Sequence, residues 1–211
     1  DGDPLVRSLH DRVAARLEDD FGHGLAHATK VALDAGALVH IEARTVESPD
    51  RLGHRIRIVQ CAGLLHDLAR KQPDHAETGA AEAAVLLRGF PIADADARDI
   101  CCAIRNHEAF KDPVRFDTRS GALLSDCLYD ADKFRWGPDN FTDTLWAMVA
   151  FSRPPVDQFL RQYPSGMERL ARIRSTFRTP AGRRYGPEFI DLGLAVGEEL
   201  YRDICREHAG G

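Results

Sequence analysis

Long apolar runs are absent from this 211-residue chain. No uninterrupted hydrophobic stretch approaches the roughly 20 residues needed to cross a bilayer, and the opening Asp1-Gly2-Asp3-Pro4 lacks the basic-then-apolar character of a secretory signal. A cytoplasmic protein without a membrane partner is expected. Positive charge is also short: 28 Lys and Arg stand against 33 Asp and Glu, a formal net charge of −5. Without an overall positive field, nucleic acid is not an expected partner. The five cysteines, Cys61, Cys101, Cys102, Cys127 and Cys205, are odd in number, show no CxxC spacing and fall mostly in apolar helical context. They read as reduced core residues and not as zinc ligands. No internal repeat, low-complexity segment or convincing strand pattern occurs. What remains is a chain with 44% hydrophobic residues, long enough to bury a sizeable core as one all-α domain over residues 1–211.

Helical periodicity fills it. Leu5, Leu9, Val13 and Leu17 recur four apart and predict an amphipathic helix over 5–19. Gly22 and Gly24 punctuate the start of a second helix running to about Ala43, with His27, Val31, Ala35 and Leu38 on one stripe. Residues 45–53 read as a loop. From His54 a third helix passes through Ile56, Ile58, Val59, Cys61, Ala62, Leu64 and Leu65, apolar on almost every face, which makes it the central buried helix. His66 and Asp67 fall on its last turn. Gln72-Pro73-Asp74 precedes a slim fourth helix from near His75, where Gly79, Ala80, Ala81, Ala83 and Ala84 permit close packing. A fifth helix, from about Ala93 to Glu108, aligns Ile100, Ala103, Ile104 and His107. After a polar loop over 109–120, a sixth from about Gly121 aligns Leu124, Leu128 and Asp132 and leaves Asp130 with Asp126 on the wet face. Further helices are expected at about 142–151, 166–177 and 187–207, with Thr179 to Arg184 as the most basic local loop.

Four helices thus direct a metal-competent group inward: His27, the pair His66 and Asp67, His107, and Asp132. A single histidine on an apolar stripe is more often a hydrogen-bonded core residue, but buried aspartate is rare unless paired or ligated, and here two carboxylates accompany several imidazoles. Imidazole and carboxylate without thiolate suit Mn, Fe, Co, Ni, Zn or Mg and do not choose among them. Two His and two Asp would fill four positions of an octahedral ion and leave room for water and a substrate oxygen, which points to catalysis.

His27, the doublet His66-Asp67, and Asp132 within Ala131-Asp132-Lys133 resemble the H…HD…D signature of the HD-domain metal-dependent phosphohydrolases over roughly residues 20–140. His23-Gly-Leu-Ala-His27, His75-x-x-x-Gly79-Ala80, Ile104-x-x-His107 and Asp130-Ala-Asp132 are similar to motifs of the small stand-alone bacterial members. The resemblance implies a compact multi-helix HD-type bundle with a C-terminal helical extension over about 141–208, and His27, His66, Asp67 and Asp132 as metal ligands. The A-D-[KR] pattern favours Asp132 over Asp130, as the helical stripe does. Two departures stand out: Gly24 replaces a common Asp, and Lys133-Phe134-Arg135-Trp136 replaces a Leu-Asp pair followed by small residues. Contacts to substrate beside the last ligand therefore do not carry over.

The expected chemistry is hydrolysis of a phosphate ester or phosphoanhydride on a small phosphorylated substrate, a nucleotide first. Asp67, His75 and His107 are the expected catalytic residues, the two histidines protonating the leaving oxygen, holding phosphate or binding a second metal as in binuclear members of the family. His23 is placed at the mouth of the site, and Arg70, Lys71 and Lys133 as phosphate-binding cations; Arg105 reads better as a solvated helix-face charge. His10, His40, His54 and His208 read as surface residues. The aromatic residues Trp136, Phe141, Trp146, Phe151, Phe159 and Tyr163 suit either a wall over the site or, as the commoner fate, core packing. Two rivals are a binuclear-iron oxygenase of the same fold, kept open by His75 and His107, and a non-catalytic nucleotide-sensing module, weakened by the intact ligand set. Nothing in the residues specifies an oligomeric state.

Overall fold

The computed structural model describes residues 2–17, 22–114, 116 and 118–209. The end of the expected first helix, residues 18 and 19, and two positions of the expected 109–120 loop, 115 and 117, lie outside the described residues.

Nine α-helices and one π-helical turn, with no strand, occur among the described residues: α1 (Pro4–Ala14), α2 (Leu25–Ala43), α3 (Pro49–Leu65), α4 (His75–Leu87), α5 (Asp94–Arg105), α6 (Arg119–Phe134), the π-turn Asn140–Thr144, α7 (Leu145–Ser152), α8 (Val156–Ile173) and α9 (Pro180–Ala209). The all-α expectation is borne out. None of these helices is long and apolar enough to cross a membrane.

The first helix begins where Asp3 caps it, accepting from the amides of Leu5 at 2.9 Å and Val6 at 3.4 Å, with Pro4 in the first turn. The other Asp3 oxygen accepts from Arg57 Nε at 2.7 Å and ties α1 to α3. The second half of α3 is the inner helix, from Ile58 to Leu65, and it packs on α2. That contact is backbone-close, because a Cβ on Gly63 would lie 2.5 Å from Ala32 Cα. Leu9, Val31, Leu64, Leu65, Ile100, Ile104 and Leu128 fill one core between α1 and α6. A second cluster, Phe141, Tyr163, Leu170, Ile173, Phe177 and Ile190, holds α8 and α9 together, and Phe134 packs against both.

Several boundaries differ from expectation. The third helix starts at Pro49 and not at His54, since proline suits the first turn of a helix and Asp50 favours its N-terminus. It ends at Leu65, so His66 and Asp67 follow its last turn. Helix α5 ends at Arg105, which leaves His107 just beyond it. Helix α8 starts ten residues before the expected Gly166 and runs through Pro164.

The sharpest correction concerns Asp130. It is fully buried, and not on a wet face, because its carboxylate accepts from Arg178 N at 2.8 Å and from Thr179 N and Oγ1 at 2.7 Å each. Thr179 to Arg184 is accordingly no loop: Thr179 is buried and α9 begins at Pro180. Gly182 lets this happen, since a Cβ there would collide with Asp130 Oδ2. Glu42 Oε1 accepts from Ala181 N at 2.8 Å and fixes the same helix start to α2.

Candidate metal centre

Six side chains from five helices converge. His27 comes from α2, His66 and Asp67 from the end of α3, His75 from the first residue of α4, His107 from just beyond α5, and Asp132 from α6. They form two groups, His27–His66–Asp132 and Asp67–His75–His107, whose ligand-capable atoms lie within 4.8 Å of one another in each group. His27 Nε2 is 3.2 Å from His66 Nε2 and 3.4 Å from Asp132 Oδ1. His75 Nε2 is 3.3 Å from His107 Nε2. Asp67 joins the two, with Oδ2 at 3.4 Å from His66 Nε2 and Oδ1 at 3.5 Å from His107 Nε2.

His66 and His107 are held in the same way. Each follows a helix end, and each presents Nδ1 to the carbonyl three residues back, Gly63 at 2.7 Å and Ile104 at 2.6 Å. A carbonyl only accepts, so both Nδ1 atoms carry the hydrogen, and in the neutral rings both Nε2 lone pairs face the centre. Asp67 Oδ1 is buried and has no hydrogen-bond partner. An orphaned carboxylate oxygen among inward-facing nitrogen lone pairs is a donor set that fits a divalent metal.

The charges point the same way. Burial opposes ionisation of Asp67, yet His66 and His107 hold its carboxyl well below the usual range. Burial likewise opposes ionisation of Asp132, and Lys133, His27 and His66 outweigh it. His66 is fully buried, which disfavours its charge, but Asp67 and Asp132 raise its proton affinity overall. Burial, with His107 and the Arg70 guanidinium beside it, lowers His75 to about 4. His75 is therefore neutral near pH 7, better suited to ligation than to donating a proton.

A cavity of about 160 Å³ opens on this centre, and Arg70, Lys133, His23 and Trp136 border it. Lys133 is buried, ion-paired with Asp132 and close to the rings of Tyr129 at 5.0 Å and Trp136 at 5.7 Å. Lys71 is exposed and lies 5.4 Å from the Phe151 ring, so its described contact is with α7. Arg105 pairs with Glu77 on the surface. His40, His54 and His208 are exposed and His10 is half-buried.

Two residues at the site carry no signal that the sequence reading used. Arg169 of α8 borders the cavity from the far side, and Glu108 Oε1 lies 3.5 Å from His75 Nδ1. Glu108 was legible as a carboxylate next to His107; Arg169 offered no such neighbour. Trp136, Phe141, Phe159 and Tyr163 border a second, larger cavity, so the aromatic stretch is partly a wall and not core packing alone.

No protein-family model matches the chain, and no curated protein matches it significantly. Solved structures do. Bacillus subtilis YpgQ in complex with ADP is 22% identical, with 94% of this chain and 97% of that one covered at a TM-score of 0.64. A predicted HD superfamily hydrolase from an uncultured Thermotogales bacterium is 21% identical over 97% and 93% of the two chains, TM-score 0.56. A Lactobacillus plantarum protein is 14% identical over the whole of both chains, TM-score 0.68. The chain thus shares its fold with these three proteins, over 94% or more of its length.

Proposed function

We propose that this protein is a divalent-metal-dependent phosphohydrolase acting on a small phosphorylated substrate, for which a nucleotide is the best fit. The observation that carries the proposal is the pair of adjoining imidazole–carboxylate groups, of which Asp67, His75, His107 and Asp132 border one cavity together with Arg70, Lys133 and Arg169. Metal ligands beside several fixed cations suit an anionic substrate that needs its charge neutralised as bonds change. The likeness to a YpgQ structure that contains ADP supports a nucleotide.

His27, His66, Asp67 and Asp132 would hold the ion, and Asp67, His75 and His107 provide a second position. When bound, the metal supplies an activated water and polarises a phosphoryl oxygen. The chain does the rest. Gly63 and Ile104 keep the Nε2 lone pairs of His66 and His107 pointed inward. Arg70 and Arg169, which border the cavity, would take the phosphate oxygens, and Lys133 favours the ionised form of Asp132. Hydrolysis forms a phosphorus–oxygen bond to water and breaks the one to the leaving group, whose oxygen must be protonated. With His75 neutral and the His107 hydrogen held by the Ile104 carbonyl, that proton comes from solvent.

The test is an assay of purified protein with Mn²⁺, Co²⁺, Ni²⁺ or Mg²⁺ against nucleotides and generic phosphate esters. Release of phosphate or pyrophosphate that Asp67→Ala abolishes is expected; no release from any substrate refutes the proposal. The paired donor groups also favour a second reading, a binuclear-iron oxygenase. Elemental analysis separates the two, since a redox-inert ion at one equivalent excludes the oxygenase.

A further inference from the structure

Two cavities meet at the metal centre. The smaller, about 160 Å³, is bordered by Asp67, His75, His107, Asp132 and the cations; the larger, about 370 Å³, is bordered by His27 and by residues of the π-turn, α7 and α8. Four residues border both: His23, Arg70, Trp136 and Arg169. The smaller space falls below the roughly 300–1,000 Å³ of pockets that enclose small molecules, and the larger falls within it. Their walls differ in kind. The larger is built from Phe141, Leu145, Met148, Phe159, Met167 and Leu170, with the uncharged amides of Asn140 and Gln162 among them.

A substrate consisting only of phosphate would leave this apolar chamber filled with water that gains nothing there. A ring-bearing group would remove apolar wall from water at roughly 25 cal/mol per Å². The amides add donors and acceptors for the edge of a heteroaromatic ring, which a carboxylate or ammonium would not supply in both senses. Between the chambers stand two arginines, suited to phosphate, and an indole, suited to the ring plane or the sugar.

We infer that the larger chamber is the specificity pocket of the enzyme: it takes a nucleobase-sized heteroaromatic group, the phosphates pass between Arg70 and Arg169, and the cleaved phosphoryl group lies at the metal. The inference rests on the phosphohydrolase reading and names the organic half of its substrate. Met148 and Gln162 are specificity-determining residues in this scheme, and compact phosphates without a ring are poor substrates.

The experiment compares two substrate pairs on metal-loaded protein, a nucleoside triphosphate against inorganic tripolyphosphate and a nucleoside 5′-monophosphate against ribose 5-phosphate. Each pair shares its class of scissile bond; the first differs in the whole nucleoside and the second in the base alone. For the pair that is cleaved, kcat/KM favours the ring-bearing member by at least about tenfold, within the range a pocket contact supplies, and Met148→Trp, which fills the chamber, removes most of that preference. The ratio is internal to each variant, so a partly unfolded preparation does not distort it. Equal rates for both members, or a preference that Met148→Trp leaves intact, overturn the inference. If no substrate is cleaved, the phosphohydrolase reading fails, and the chamber is judged by binding. In a Trp146→Phe background the fluorescence reports Trp136, and at least one of the four nucleosides changes it saturably while ribose does not. No response to any nucleoside, or the same response after Met148→Tyr, which narrows the chamber without adding an indole, overturns the pocket by itself.

Discussion

His27 Nε2 and His66 Nε2 face each other across 3.2 Å, although the Nδ1 of His66 already carries the ring hydrogen for Gly63. In neutral rings one of these nitrogens must carry a hydrogen or both must share a cation. A metal shared by the two nitrogens takes the place of that hydrogen, and by binding only the folded chain it should stabilise the fold. At a free ion concentration 100 times Kd the gain is about 2.7 kcal/mol, equivalent to roughly 5–10 °C in Tm for a chain of this length. Thermal unfolding with Mn²⁺ or Co²⁺ against excess chelator measures it, and His66→Ala should abolish the difference.

Asp130 is the anchor for the start of α9. Asp130→Ala leaves the amides of Arg178 and Thr179 and the Thr179 hydroxyl without their acceptor, at a cost of about 2–4 kcal/mol by the desolvation of orphaned donors. Urea denaturation should show the loss. The metal-dependent Tm shift should survive, because Asp132 and not Asp130 belongs to the donor groups.

The contrast between these two aspartates shows what the sequence makes legible. His27 and Asp132 are polar residues on apolar helical stripes, and His66 and His107 continue such stripes just past the helix ends, a local pattern that periodicity detects. Asp130 follows Asp126 by four residues and looks solvated, while its partners lie 48 and 49 residues further on, where no local pattern reaches. The doublet's position past the end of α3 was invisible for a related reason. Helical periodicity continues through Leu65, and the turn that follows is set by tertiary packing. Arg169 is hidden still more thoroughly, as one arginine among several on an amphipathic helix that contains Pro164.

Arg169 offers the cleanest separation of function from stability. It is exposed, on α8, and borders both cavities. Arg169→Ala should lower kcat/KM for a phosphorylated substrate by roughly 10–100-fold, the loss of about 1.5–3 kcal/mol expected for hydrogen bonds to a charged group. Steady-state kinetics alongside a melting curve checks both halves, with Tm expected to change by no more than about 1 °C. Lys71→Ala, by comparison, should leave kcat/KM nearly unchanged.

Alkaline pH should weaken the fold through a buried thiol. Burial, with Asp3 and Asp96 adding to it, pushes Cys61 up to about 12, whereas an unfolded cysteine titrates near 8.5. Above pH ~8.5 the unfolded chain loses the proton first, so stability falls as pH rises towards 12, by up to about 1.4 kcal/mol per pH unit for this group. Below ~8.5 the contribution is fully present and constant. Urea denaturation at pH 8 and 10.5 should show a smaller decline in Cys61→Ala than in the parent protein.

Gly63 couples the core to the site. Its carbonyl orients His66, and its missing side chain lets α3 lie against α2, the helix that carries His27. A methyl group at this position would meet Ala32 Cα at 2.5 Å and Ala32 N at 2.8 Å, both backbone atoms that cannot rotate aside. Gly63→Ala must part the helices, at about 1–3 kcal/mol or more for overpacking, and parting them moves His27 away from His66. The protein should melt lower, and the residual folded form should bind metal at least about tenfold more weakly, as helix displacement of even an ångström spoils a ligand set. Gly53→Ala on the same helix is the control: a Cβ there meets nothing within 4 Å. It should raise Tm slightly through the better helix propensity of alanine, by about 0.5–1 kcal/mol, and leave metal binding unchanged. Metal titrations followed by Tm on the two variants distinguish loss of the site from general loss of stability.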